Sequence, residues 1–253
     1  MARPFTLVAG GGRRAAELSF PAFAGEVARA ARRRGSSTVF GGSPPLEGEG
    51  RKATLSELFA THPRDGGWSG FLAAQQAPSG TILWVQERMA ILESGRIHPR
   101  GLPFPDLIHV EARDARSALW AMEEGIRCSG LALVIGEIWG DPRALDFTAT
   151  RRLAVAAEKS GVVCWLVRLG GTANLSGARM RWRIASMPSL ANPLDPRAPG
   201  ASAWDAELFR ARGRPPGRWT IAHEADDPAH PFRLVAEAGD RIVGEERRSL
   251  SQA

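Results

Sequence analysis

The amino-acid sequence predicts an α/β fold in which helices cover both faces of a mostly parallel β-sheet. Strand-like apolar runs alternate with amphipathic helical stretches between about residues 55 and 190, which is typical of βαβ units. The runs at 131–138 and 162–169 are almost entirely apolar, as strands are when both of their faces are buried. A chain of 253 residues with 43% hydrophobic side chains can enclose such a three-layer core.

The N-terminal part of the chain is predicted to form a helical appendage and a linker. Apolar side chains recur with helical spacing in residues 23–37, whereas residues 40–52 contain too much Gly and Pro for regular structure. We therefore divide the chain into an N-terminal region of residues 1–54, a core of residues 55–235 and a polar tail of residues 236–253.

Within the core, periodicity and flanking residues predict the elements in order. The segment LSELFA, residues 55–60, predicts a short helix or turn. Helical spacing, with Asp114 as an N-cap and Gly95 and Gly161 as stop signals, predicts helices at 67–77, 88–95, 114–130 and 145–161. Runs of β-prone apolar residues predict strands at 81–87, 106–112, 131–138, 162–169 and 180–187.

The chain after Pro188 predicts a C-terminal β-hairpin. Two alternating stretches, residues 204–212 and 218–225, are joined by the turn sequence GRPPG. A further strand is predicted at 230–238.

A nucleotide-hydrolysing core needs a glycine-rich loop with a lysine, GxxxxGK[ST], to hold the phosphates. The chain has two lysines, Lys52 and Lys159, and neither stands in this pattern. We therefore expect no nucleotide hydrolysis and no bound cofactor. Glu137, at the end of a central strand, is either a remnant of a metal-binding acid or an exposed strand end. Glu87 is either a general base or a surface carboxylate.

No other catalytic or metal-binding set emerges from the sequence, so we expect a protein that is not an enzyme. The five histidines are scattered without HExxH spacing, and Cys128 and Cys164 have the pattern of buried reduced thiols. No apolar run reaches the length of a membrane span and the N-terminus lacks the long apolar region of a signal peptide. These features favour a cytoplasmic protein.

The net charge of +6 is carried almost entirely by arginine, and two groups of arginines are candidate binding residues. One group alternates on a predicted strand and the other lies in the hairpin; with the neighbouring indole the candidates are Arg179, Arg181, Arg183, Arg210, Arg212, Arg214, Arg218 and Trp219. Such a surface suits a nucleic-acid backbone, an acidic patch on another protein, or a solvated sheet edge. Trp68 and Trp204 are further candidate contact residues.

The sequence resembles the ImuA family, the RecA-like proteins of the inducible mutagenesis cassette. The stretch WVQERMA, followed by ESGR, and the hairpin RARGRPPGRWT are the most specific parts of the resemblance, which extends over residues 55–235. The family is a RecA-fold relative whose phosphate loop has decayed. The resemblance therefore implies a RecA-like core, with Glu87 and Glu137 near the positions of two nucleotide-site acids of the recombinase.

The resemblance also implies a function: an accessory role in error-prone translesion synthesis during the SOS response to DNA damage. The implied partners are ImuB, a homologue of Y-family polymerases, and an alternative replicative polymerase α subunit. RecA itself and single-stranded DNA are further candidate partners, and no membrane is expected. Two alternatives stay open at this point: an ATP-dependent recombinase that binds single-stranded DNA, and a SulA-type inhibitor of cell division.

Overall fold

The structure is a computed structural model. It describes residues 53–75, 80–98, 102, 104, 106–195, 197–213, 215–223 and 232–237, together with the backbone of residues 5–9 and 16–18. The predicted helix in residues 23–37, the predicted linker and nearly all of the polar tail lie outside the described residues. The proposed division into three regions therefore stays a prediction.

The described strands form one sheet. They are β1 Phe5–Ala9, β2 Ala16–Leu18, β3 Leu55–Ala60, β4 Thr81–Glu87, β5 Leu107–Ala112, β6 Leu131–Trp139, β7 Val163–Leu169, β8 Met180–Met187, β9 Ala203–Ala211, β10 Gly217–His223 and β11 Phe232–Glu237. Their order is β11-β10-β9-β8-β3-β7-β6-β4-β5-β1-β2. The six strands from β8 to β5 run parallel, and antiparallel strands extend both edges. This arrangement confirms the predicted α/β fold and fits a RecA-like core.

Helices cover both faces of the parallel strands, as predicted. The described helices are α1 Gly67–Gln75, α2 Arg88–Ser94, α3 Ala115–Ile126 and α4 Phe147–Ser160. Helices α3 and α4 begin at aspartate caps, whose side chains accept hydrogen bonds from backbone N–H groups of the first turn. Helix α4 ends at Gly161, whose φ of 79° is the left-handed conformation that glycine adopts most easily. No helix in the described ranges is both long and apolar enough to cross a membrane.

The two faces of the sheet pack against different kinds of side chain. The face under α3 and α4 is aliphatic, with Leu83, Val134 and Leu166 in its centre. The opposite face, under α1, is rich in indole rings, and Trp84, Trp165 and Trp182 are among its most completely buried side chains. Alternation along each strand separates these two sets of side chains, since successive residues of a strand point to opposite faces.

Two predicted contact residues belong to this aromatic layer. Trp68 and Trp204 are buried, and the Trp204 Nε1–H donates a 2.7 Å hydrogen bond to the Gly67 carbonyl. Phe71 of α1 lies 6.3 Å from the Trp204 ring, measured between ring centroids. The expectation that these two tryptophans contact a partner is therefore corrected: they join α1 to the antiparallel part of the sheet.

The predicted secondary structure is most clearly wrong for the segment LSELFA, residues 55–60. This segment forms β3, which pairs in parallel with both β7 and β8 in the middle of the sheet. The prediction of a short helix or turn is therefore wrong, and even the polar residues of the segment, Ser56 and Glu57, are buried. The N-terminal strands β1 and β2 were also not predicted; β1 pairs antiparallel with β5.

Candidate functional site

A loop of residues 61–66 connects β3 to the N-terminus of α1 at the carboxyl edge of the parallel strands. A strand, a loop and a helix N-terminus in this order form the phosphate-binding element of nucleotide-hydrolysing proteins, because free backbone N–H groups and the helix dipole attract anions. The structure thus locates the position where a phosphate loop would lie. The sequence of this loop, THPRDG, contains no lysine.

The loop already holds an anion of its own, the carboxylate of Asp65. This carboxylate accepts hydrogen bonds from the Gly67 N–H at 2.9 Å and the Ser186 N–H at 2.7 Å, and a further one from the Ser186 hydroxyl. Burial acts to raise the pKa of Asp65, but the hydrogen bonds from Ser186 and Gly67 outweigh it, so the pKa lies below its ordinary value. Asp65 is therefore an internal occupant of the anion position.

A pocket opens beside the helix N-terminus, and Asp65, Ser69 and Glu137 are among the residues that line it. On the side of β8, a Cβ atom at Gly67 would lie 2.0 Å from the Ser186 hydroxyl oxygen, so a larger residue would push the Ser186 hydroxyl away from Asp65. This loop was not predicted, because neither lysine lies near it and the segment that forms β3 was predicted to be a helix or turn. A strand prediction at 55–60, followed by Gly66-Gly67 and a helix, would have revealed it.

Glu137, predicted to be a degenerate nucleotide-site acid or an exposed strand end, lies inside the protein. Its side chain is fully enclosed on the aromatic face of the sheet, and its carboxylate accepts hydrogen bonds from Trp84 Nε1 at 2.5 Å and Gln86 Nε2 at 2.9 Å. Burial raises the pKa of Glu137 to about 7 although these hydrogen bonds favour the charged form. The alternative of an exposed strand end is therefore wrong.

Gln86 connects Glu137 to a buried histidine. The Gln86 Oε1 atom accepts from the Ile97 N–H and lies 3.0 Å from His109 Nε2, while Gln86 Nε2 also donates to the Gly95 carbonyl. Because an amide oxygen can only accept, His109 carries its proton on Nε2. Burial, assisted by the charge of Arg96, lowers the pKa of His109 to about 4. His109 is thus a neutral core residue.

Glu87, the other degenerate nucleotide-site acid, is buried as well. Its carboxylate accepts a 2.9 Å hydrogen bond from the Trp139 N–H and so joins the ends of β4 and β6. Burial raises the pKa of Glu87 above its ordinary value, in spite of this hydrogen bond. Because Glu87 is buried, the alternative that it is a surface carboxylate is wrong. Across the described residues, no three metal-ligating side chains are grouped in a way that could hold an ion.

One of the predicted binding arginines, Arg181, is a structural residue. Arg181 Nε donates a 2.7 Å hydrogen bond to Glu57 Oε2, and Arg168 approaches Glu57 Oε1 at 3.7 Å. All three side chains are buried, and both guanidinium groups lie over the Phe59 ring at 5.3 to 5.5 Å from its centroid. Arg181 therefore adds no charge to the surface, because it is buried and paired with Glu57 of the central strand β3.

Three other predicted arginines are exposed or half-buried and have acidic partners. The ion pairs are Arg179–Glu158, Arg183–Glu207 and Arg218–Asp205. The acids come from α4 and from β9, which lies between β8 and β10. Cross-strand pairing of this kind joins residues far apart in the chain, so the sequence indicated the arginines and their shared face but not their partners.

Two arginines of the hairpin form no ion pair within the described part of the chain. Arg210 and Arg212 are exposed at the end of β9 and its turn. Arg214 lies outside the described residues. Trp219 is half-buried, with its ring centroid 6.2 Å from that of Trp182, so only part of the indole is accessible.

Comparison with known proteins yields one kind of relative. Protein ImuA from two strains of Caulobacter vibrioides, NA1000/CB15N and ATCC 19089/CB 15, is 38% identical to this chain over 177 residues. The alignment covers 65% of this chain and 69% of each relative. No family model matches the chain.

Proposed function

The chain belongs to the ImuA family, and from this premise we propose that it is a non-catalytic accessory protein of damage-induced translesion synthesis. In this proposal it acts in the cytoplasm during the SOS response and binds a polymerase-like partner of the ImuB type. An alternative replicative polymerase α subunit is part of the same assembly. The observation that carries the non-catalytic role is the Asp65 carboxylate in the anion position of the loop after β3.

The chemistry of this position argues against nucleotide hydrolysis. Phosphoryl transfer depends on cations and backbone N–H groups that neutralise the charge of the transferred phosphate. Here the Gly67 N–H donates a hydrogen bond to the Asp65 carboxylate, and the same carboxylate would repel a bound phosphate. Glu137 is poorly suited to hold a metal ion, because burial favours its neutral form and its oxygens already accept hydrogen bonds from Trp84 and Gln86.

The surface of the protein supports a binding role. Arg210 and Arg212 are exposed without a partner among the described residues, so their charges are available to an acidic ligand. Arginine is favoured at protein interfaces because its planar group makes several directed hydrogen bonds. RecA and single-stranded DNA are further candidate ligands of this surface.

Nucleotide titration tests the non-catalytic part of the proposal. We expect isothermal titration of the full chain with ATP and Mg²⁺ to give no binding heat, and phosphate release to stay at the rate without protein. Micromolar affinity with turnover would overturn the proposal and favour an ATP-dependent recombinase. The variant Asp65→Asn, which removes the charge but keeps the side-chain shape, tests whether repulsion alone excludes the nucleotide.

Loss of the gene tests the pathway. We expect a deletion strain to show fewer ultraviolet-induced mutations, and complementation by the wild-type chain to restore them. Because the proposed role needs no hydrolysis, Glu87→Gln and Glu137→Gln variants that fold should also complement. An unchanged mutation frequency after deletion would contradict the proposal.

A further inference from the structure

A groove that no described residue covers extends along helix α4, on the face that the sheet does not bury. Phe147 and Val155 are 40% and 55% exposed, and both line this groove. From Phe147 to Glu158 the groove follows about 16 Å of the helix, or three turns. The other wall is formed by residues 176–179 and by the end of β9.

The wall opposite α4 is firmly attached to the helix. The Gly177 N–H donates a 3.0 Å hydrogen bond to Thr150 Oγ1, and a Cβ atom at Gly177 would lie 2.6 Å from Arg151 Cα. The Arg212 N–H donates to the Arg179 carbonyl, which holds the end of β9 beside the same wall. The groove is therefore preformed, and a ligand would not need to order it.

The charge of the groove is strongly positive. Four arginines line it: Arg151, Arg179, Arg210 and Arg212. Among the described lining residues the one acid is Glu158, which is already paired with Arg179. Such a rim attracts an acidic ligand and selects against basic ones. The floor favours a peptide: the Phe147 ring could stack on a base, but Val155, the more exposed of the two, is aliphatic and suits apolar side chains of a peptide.

We propose that this groove docks an acidic peptide segment of the partner protein, with apolar side chains of that segment on Phe147 and Val155. The inference rests on the proposed function and specifies its partner contact: an amphipathic segment with carboxylates against the arginine rim. Arg210 and Arg212 act at the rim, and the exposed apolar side chains of α4 provide the central contacts.

Binding of a co-expressed ImuB-type protein to variants of the full chain tests the inference. We expect Val155→Asp, and separately Arg210→Glu with Arg212→Glu, to weaken binding by about tenfold or more. Leu92→Asp and Arg116→Glu are matched controls on α2 and α3, since both side chains are exposed on helices away from the groove. The controls should bind as the wild type does, and circular dichroism should show that all variants are folded.

Overlapping peptides from the acidic stretches of that partner, and oligo(dT) as the nucleic-acid probe, identify the ligand class. We expect an acidic peptide to bind the wild type and to lose affinity with the uncharged variant Val155→Ser, while oligo(dT) binding is unaffected by that variant. Oligo(dT) binding that depends on Val155 would overturn the inference in favour of nucleic acid. A partner that binds all variants equally would overturn the inference but leave the proposed function intact, whereas a partner that does not bind the wild type would contradict both.

Discussion

At the residue scale, two buried titratable groups joined through Gln86 have opposite effects on stability. The pKa of Glu137 is raised to about 7, so its contribution to stability is present below its ordinary pKa and is lost as pH rises through 7. The pKa of His109 is lowered to about 4, so its contribution is present above its ordinary pKa and is lost as pH falls through 4. Between these limits the two effects oppose each other.

This opposition gives the first prediction. We expect the free energy of unfolding of the wild type to change little between about pH 5 and pH 6.5. With His109→Gln only the carboxyl titrates, so stability should fall as pH rises; with Glu137→Gln only the imidazole titrates, so stability should rise. Urea unfolding at several pH values measures both slopes. Over its full pH range, each group changes the free energy of unfolding by at most about 3 kcal/mol. Slopes of equal sign would contradict the assigned burial.

Asp65 gives a second prediction at this scale. Asp65→Ala removes the acceptor for the Gly67 and Ser186 N–H groups, so we expect a loss of about 1 to 2 kcal/mol in the free energy of unfolding. Glu93→Ala is the matched control, because Glu93 makes a single loose ion pair at 3.6 Å with the exposed Arg64. Because the pKa of Asp65 is lowered, its contribution should be lost as pH falls through that folded-state pKa.

At the element scale, sequence patterns located the helices and strands wherever a single face or an apolar run decided the structure. The predicted bounds of β4 and β8 agree with the structure residue for residue. Strand β3 was not predicted because Glu57 lies in its middle, and the buried partner of Glu57, Arg181, is 124 positions away in the chain. A charge that is neutralised by a distant strand looks like a surface charge in the sequence.

The same limit explains what could be predicted of the candidate site. Alternation placed Arg181 and Arg183 on one face of β8, opposite Trp182, and the structure agrees. Burial of Arg181 and the pairing of Arg183 with Glu207 depend on which strands become neighbours, and that is a property of the whole sheet. The loop with Asp65 was missed because its importance follows from the position of β3.

The buried ion pair of β3 gives a third prediction. Glu57→Gln leaves Arg181 and Arg168 facing each other without their common carboxylate, so we expect a loss of about 3 to 5 kcal/mol in the free energy of unfolding. Replacing the partner as well, in Glu57→Gln with Arg181→Met, should recover part of that loss because one buried charge is removed. Chemical denaturation of both single variants and of the double variant measures the coupling between Glu57 and Arg181. If the two losses in free energy of unfolding simply add, the two residues are not coupled.

At the scale of the whole molecule, the two sides of the core differ in what they leave open. At the carboxyl edge of the parallel strands, Asp65, Glu87 and Glu137 accept hydrogen bonds from neighbouring elements, and a pocket remains open beside Asp65 and Glu137. The outer face of α4 carries exposed apolar groups beside arginines. This difference supports the proposed protein contact along α4.

The net charge of +6 gives the last prediction, because a long-range field and a short-range contact affect binding kinetics differently. Reversing Arg210 and Arg212 reduces the field that attracts an acidic segment, so we expect a slower association rate and a weaker dependence on salt. Val155→Ser removes an apolar contact formed only after docking and adds no charge, so the dissociation rate should rise while the salt dependence stays close to that of the wild type. Surface plasmon resonance at two salt concentrations separates these effects. If both variants changed the association rate alone, Val155 would lie outside the contact, and the groove along α4 would not be the docking surface.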